Sequence, residues 1–476
     1  MPSLHPLEIP EIILGVASYV PVHNLPACAR VSKIWHQAFI PLIWRDIRLS
    51  TNGAIPLDAI HSHGQFVKNL HICCHVKQEH VALNCQNLTS LYASRLCADS
   101  LELIIKHPSI TQLRFLEPIR GLSGYWDKLI VLPNLKDLRL VVLEVTEQDA
   151  DTFWQLCTRL ERLDMGHPRV LVRGNLSSME FPSLCELKMN GLHESDVPLT
   201  LDFMQRCPNL RSFHWALKED VLQLFAQGFV QLFSAGTWPH LQNISARLSG
   251  SGDFGDDSDL SKVISVMQRI TSFKASSFSF TPELMNLFRP HFNNLQRLNV
   301  CQATTFTSAM TQEVMSSCPL LTTFKGVIID AIDIIQGRPW ACLKLKLLKL
   351  GFRFDPSTID RMQPLVLDQL SRLTRLEDLE VCSWRQEPLG FQEGFDLRLE
   401  HGLGKLSTLR QLRILDLGDS KQNMGEQEVD WMIGHWKCLA RIYGRLNTMA
   451  PKDGKALVER LNRHDIANYR FHLHLR

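Results

Sequence analysis

The chain has 476 residues, of which 45% are hydrophobic and 21% charged, and its formal net charge is +2. The length is too great for one ordinary compact domain and the composition is that of a folded chain, which excludes a disordered polymer and leaves several domains or an extended repeat array. Near-neutrality excludes the global basic field that gathers nucleic acid or an anionic membrane, so neither is expected as a partner.

In chain order, residues 1–47 come first and form a small helical module. Ile12, Ile13, Val16, Tyr19 and Val20 have helical spacing behind Pro10, a residue suited to a first turn. Leu25, Cys28, Val31, Trp35 and Phe39 continue a second apolar stripe, which Pro41 is expected to stop. The run Ile12–Val20 follows Glu8 and Glu11 rather than a basic segment, so it is not read as a secretion signal. A module of this size makes a poor core by itself and should lean on a neighbour or a partner. The alternative reading is a helical cap over the first coil of whatever follows.

Residues 48–65 read as a connector. Beyond them, over 66–476, one pattern keeps returning: apolar, two residues, apolar, one residue, apolar. Clear copies begin at Leu135, Leu160, Leu184, Leu295, Leu345, Leu376 and Leu412. Weaker ones begin at Val67, Leu88, Ile110, Leu210, Leu241, Ile270, Leu321 and Leu439, with a last degenerate copy at Ile466–Tyr469–Phe471 serving as a cap. The second and third apolar positions are two apart and leave the same face of a strand. Amphipathic segments such as Ala150–Cys157 and Val314–Cys318 precede the next strand, and proline stands two places before it at Pro108, Pro133, Pro182, Pro208, Pro239 and Pro319, where it ends a helix. Strand and helix alternating at this period predict an α/β fold: a solenoid with a curved parallel sheet and outer helices.

Thirteen cysteines run from Cys28 to Cys438 with no C-x-x-C pair, which points to a reducing compartment, the cytoplasm or the nucleus. Cys85, Cys157, Cys207, Cys318 and Cys342 stand three places before a repeat start and are expected to be core packing. Two stretches break the period, Ser249–Asp259 and Glu387–Gly404, and both read as loops thrown out from a coil. Gly250–Gly255 matches G-x-G-x-x-G, but the aspartates behind it would repel phosphate, and His71, Cys73, Cys74 and His75 lack a second ligand pair. No cofactor, metal or catalytic constellation is expected, and no apolar stretch reaches the ~20 residues that span a bilayer.

The repeats resemble the cysteine-containing type of leucine-rich repeat. The asparagine or cysteine that usually closes the strand-turn of that family is mostly missing, so irregular coils are expected. The N-terminal module, with Pro10, Glu11-Ile12-Ile13, Val16-Ala17-Ser18-Tyr19-Val20, Leu25, Val31-Ser32-Lys33-Ile34-Trp35 and Pro41-Leu42-Ile43-Trp44-Arg45, resembles an F-box. That resemblance implies a non-enzymatic substrate receptor of a ubiquitin ligase, docked on a Skp-family adaptor and, through it, a cullin. It also implies adaptor contacts by Pro10, Ile12, Ile13, Val16, Leu25, Val31 and Lys33, with Trp35 and Trp44 holding the module together. The alternatives are a leucine-rich-repeat scaffold outside ubiquitination and a regulatory subunit of another enzyme.

The residue between the second and third apolar positions should face the concave side. From Leu88 onward these are Tyr92, Arg114, Arg139, Asp164, Lys188, His214, Ser245, Lys274, Asn299, Lys325, Lys349, Glu380, Asp416 and Tyr443. Arg139, Lys188, Lys274, Lys325 and Lys349 are the candidate substrate contacts, the last three above all, for an acidic or phosphorylated segment of a protein.

Overall fold

The computed structural model describes residues 9–17, 19–20, 22–50, 55–117, 124–166, 168–170, 172–248, 258–381, 392–393, 395–418, 420, 422–447 and 451–469. They fall into two compact units, Met1–Ala216 with Ala235–His240, and Leu217–Ser234 with Leu241–Arg476. Each unit is an α/β leucine-rich-repeat solenoid, and the first carries the helical module at its start.

In that module, α1 (Pro10–Ala17), α2 (Leu25–Cys28) and α3 (Lys33–Ile43) enclose Ile13, Ala17, Leu25, Ala29 and Phe39. Ile13 and Ala17 are four apart and lie on one face of α1, while Trp35 stacks on Phe39 one turn along α3 at a centroid distance of 5.3 Å. The Ser32 hydroxyl caps α3 by accepting the Trp35 N–H at 3.2 Å. Pro41 does not stop this helix, which runs to Ile43; so near the end the missing N–H costs a single bond. Trp44 stacks on His63 at 4.6 Å, tying the module to the first coil.

Eight strands of the first unit pair in parallel and in chain order: β1 (Asp46–Leu49), β2 (Asn69–Ile72), β3 (Ser90–Ala93), β4 (Gln112–Phe115), β5 (Asp137–Leu140), β6 (Arg162–Met165), β7 (Glu186–Asn190) and β8 (Ser212–Leu217). The stretch expected as a connector therefore holds a coil of its own, with β1 at its head and the helix Leu57–His63 behind. Trp44, Ile47 and Leu49 already spell the repeat pattern, hidden because Trp44 also belongs to the module.

The apolar positions are fully enclosed, as at Leu138, Leu163 and Leu187, and each such side chain contributes about 1.5–3 kcal/mol by leaving water. Behind the sheet, Trp126, Phe153, Trp154 and Phe203 make a chain of edge-on and tilted ring contacts with centroids 4.8–5.0 Å apart, joining successive coils. All five cysteines three places before a repeat start are buried, and burial pushes the Cys85 thiol up to about 11 and Cys342 up to about 12.

Among the described residues the main ladder of this unit keeps its register from strand to strand, while the short pair Leu143–Glu144 and Pro168–Val170 shows the expected irregularity. One carbonyl per coil accepts two consecutive amide N–H groups of the next: Arg45 from Lys68 and Asn69, Lys68 from Thr89 and Ser90, and so on to Cys185 from Arg211 and Ser212, at 2.8–3.1 Å. Side chains ahead of the strands add to the ladder, with Asn134 donating to the Pro108 carbonyl at 3.2 Å and Asn209 to Pro182 at 2.8 Å. A backbone bond thus does what the missing consensus asparagine was expected to do.

In the second unit, β9 (Asn243–Leu248), β10 (Ser272–Ser279), β11 (Arg297–Thr304), β12 (Thr323–Asp330), β13 (Leu347–Phe354), β14 (Asp378–Val381), β15 (Ile414–Asp416), β16 (Arg441–Tyr443) and β17 (Ala467–Tyr469) again pair in order and in parallel. Here β10 to β13 are longer, and register shifts follow Lys274 and Lys325. A further shift in β10, between Ser276 and Ser279, contains Ser277 at φ 65.

The insertion after β14 is not simply a loop thrown out. Gln392–Glu393 adds an antiparallel strand to Arg353–Phe354, and Phe395 is buried against Phe352 and Phe354. Gln363 secures it by donating to the Asp396 and His401 carbonyls, both at 2.8 Å. The other insertion lies mostly outside the described residues, and the G-x-G-x-x-G match wholly so. In the last coil Tyr469 is opposite Tyr443, an outward position, so the copy expected at Ile466–Tyr469–Phe471 is read one residue out of phase. Phe471 lies outside the described residues.

Candidate functional site

Register alone assembles the surface of interest. In the first unit the strand-centre residues form one row, Arg48–His71–Tyr92–Arg114–Arg139–Asp164–Lys188–His214, each paired in register with the next. In the second, the row is Ser245–Lys274–Asn299–Lys325–Lys349–Glu380–Asp416–Tyr443–Tyr469. Every residue expected on that face therefore lies in one of the two rows, because a strand residue flanked by two core positions must point away from them.

The charges are less available than their identities suggest. Arg139 forks onto Asp137, with Nε donating to Oδ1 at 3.0 Å and Nη2 to Oδ2 at 2.9 Å, and this partner holds its guanidinium above the ordinary arginine range. Lys188 Nζ meets Asp164 Oδ2 at 2.8 Å across the adjacent strands. Lys349 is 9% exposed and paired with Glu380 opposite. All three of these candidate substrate contacts therefore carry a carboxylate partner within the fold. Directly opposed unlike charges on neighbouring strands attract, and consecutive members of the row are such neighbours. Lys274 is exposed and Lys325 half-buried, on either side of Asn299.

Where the row starts, the character changes. His71 stacks on Tyr92 with centroids 4.2 Å apart and planes within 4°. The Arg114 guanidinium sits 5.9 Å from the Tyr92 ring centre, and Arg48 Nε donates to Cys73 Sγ at 3.4 Å. Burial, and then the charges of Arg48 and Arg114, hold the His71 imidazole below its usual range, so it is neutral near pH 7. Reading of the sequence had singled out neither Arg48 nor this stack, because the row was followed only from Leu88 onward.

The module offers a second surface. Ile13 and Leu25, expected as partner contacts, are core residues at 0% and 5% exposure, so the helix packing already uses them. Pro10, Ile12, Val31 and Lys33 are exposed and Val16 is half-buried. Leu14, Tyr19, Val22 and Ile34 are also exposed, Tyr19 by 88% and Val22 by 78%, and helical spacing alone did not distinguish their face from the enclosed one.

At the ends of β11 to β13 the structure adds two open clefts of about 420 and 430 Å³ that share Asp330 and Arg353. Arg353 Nη2 donates to Asp330 Oδ2 at 2.9 Å, so the wall between them is a closed ion pair. Among the described residues no group of three His, Cys, Asp or Glu side chains is placed to hold a metal ion. Nor, among them, is any helix long and apolar enough to cross a membrane.

No family model and no curated protein matches the chain. Among solved structures, that of the Drosophila Toll–Spätzle complex aligns with 83% of this chain at 13% identity, with a TM-score of 0.31. The chain covers 52% of that structure's chain, about half its length, and at that score the likeness adds nothing to what the strands themselves establish: a leucine-rich-repeat scaffold.

Proposed function

We propose that this chain is a substrate-recognition subunit of a Skp–cullin–F-box ubiquitin ligase, with the N-terminal module docking the adaptor and the strand-centre rows holding a protein substrate. The observation that carries this reading is the exposed apolar set Ile12, Leu14, Tyr19, Val22, Val31 and Ile34 on a module whose own core is already complete. A cap needs its apolar side chains turned inward to the coil it covers; this module leaves six large ones exposed, which favours a docking element. The receptor makes and breaks no bond itself. It raises the local concentration of substrate lysines beside a charged enzyme.

Replacing Ile12 and Val31 by aspartate in the full chain tests the proposal. The expected result is that a Skp-family adaptor and a cullin co-purify with the parent chain and not with the variant, while both keep the same far-ultraviolet spectrum. Equal recovery of both partners, or recovery of neither with the parent chain, would refute it.

A further inference from the structure

The open end of the first row differs from the rest of that unit's row. From Arg139 onward each arginine or lysine has a carboxylate within reach: Arg139 with Asp137 and Lys188 with Asp164. Among the described residues no carboxylate stands within ion-pair distance of Arg48 or Arg114. Asp46, beside them, accepts from Asn69 Nδ2 and lies 3.9 Å from Arg45. Both guanidiniums are exposed, and between them stand the His71 and Tyr92 rings, each covering one face of the other.

We infer that Arg48, His71, Tyr92 and Arg114 form a subsite for an acidic stretch of a protein partner, with two oxyanions, carboxylate or phosphate, on the arginines and the intervening part crossing the edges of the two stacked rings. This deepens the receptor reading and rests on it for the nature of the partner. Neighbouring strands are about 4.8 Å apart, so Arg48 and Arg114, three strands apart, are spaced by about 14 Å. An extended peptide advances about 3.4 Å per residue, which matches acidic groups at positions i and i+4. Arginine suits this role because its planar fork takes two oxygens at once. A nucleic acid fits less well. Its affinity grows with the number of phosphates neutralised, and here two exposed arginines are followed by cations that carboxylates already neutralise.

The test is selection from an oriented peptide library on the purified full chain, with glutamate, glutamine and phosphoserine offered at each position. The expected result is enrichment of acidic residues four apart. Their order of preference separates carboxylate from phosphate. The selected peptide should bind about tenfold or more weakly to Arg48→Ala/Arg114→Ala, with the far-ultraviolet spectrum unchanged. Absence of acidic enrichment, or affinity that survives the double arginine substitution, overturns the inference. So does a single-stranded oligonucleotide that binds this face more tightly than the selected peptide. Since no adaptor is present in the assay, its failure is separate from a failure of adaptor docking.

Discussion

His107 offers the sharpest test of how these coils are held together. It is 4% exposed, its Nε2 accepts the Cys85 amide N–H at 3.2 Å, and its Nδ1 donates to the Leu103 carbonyl at 2.7 Å. One ring therefore satisfies a backbone donor from the preceding coil and a helix-end carbonyl from its own. Replacing it by phenylalanine fills the same space and orphans both groups. At about 1–3 kcal/mol for each buried polar group left unpaired, the loss for the two is about 2–6 kcal/mol. Burial and then Lys106 lower the histidine pKa, while the bond to Leu103 raises it, for a net depression. A histidine that takes up its proton less readily when folded than when unfolded contributes stability that is fully present above the unfolded value of about 6.5 and is lost as pH falls toward the folded one. Urea denaturation of parent and His107→Phe chains should thus show a gap that is largest above pH 7 and narrows below 6.5, with faster hydrogen exchange at the Cys85 amide. Equal stability at pH 7.5, or a gap that widens on acidification, would refute the reasoning.

Three further outcomes are expected. Lys349→Glu should cost about 3 kcal/mol, because its side chain and that of Glu380 are only 11% and 14% exposed, whereas Lys325→Glu on the neighbouring strand should cost less than about 1 kcal/mol by the same denaturation assay. Asn209→Ala should lower stability by about 0.5–1.5 kcal/mol by removing one side-chain rung to the Pro182 carbonyl, read as a shift of the urea midpoint. In the native chain an alkylating reagent should label the exposed Cys73 and Cys438 and leave Cys85, Cys157, Cys207, Cys318 and Cys342 unmodified until urea unfolds them, as mass spectrometry of the digested protein would show.

The architecture was legible because a three-position apolar pattern leaves one arrangement that buries it: Leu138 and Leu140 must share a face, and Arg139 between them must not. That reasoning placed the strand-centre residues correctly but could not say which cations were compensated. Asp164 and Lys188 are 24 residues apart in sequence, and only the in-register pairing makes them neighbours. The pairing was nevertheless implicit in the row, where each residue's neighbour is the next member. Two losses had a different origin. The coil headed by Asp46–Leu49 was masked because Trp44 serves both the module and the sheet. Tyr469 was put on the wrong face because an aromatic ring beside Ile466 satisfies a hydrophobic pattern equally well in either phase, and only stacking on Tyr443, at 5.3 Å, decides between them. In the module, Ile12 and Ile13 are adjacent and equally apolar, so nothing local distinguishes the enclosed one from the exposed one.

The doubly accepting carbonyls between successive coils have an evolutionary consequence. Peptide groups are common to all residues, so the join between one coil and the next makes little demand on side-chain identity. A whole coil can then be duplicated or deleted without a compensating change at its borders, and each such event lengthens or shortens the binding row by one strand spacing. A sheet face built this way can be re-dimensioned before any of its outward residues is altered.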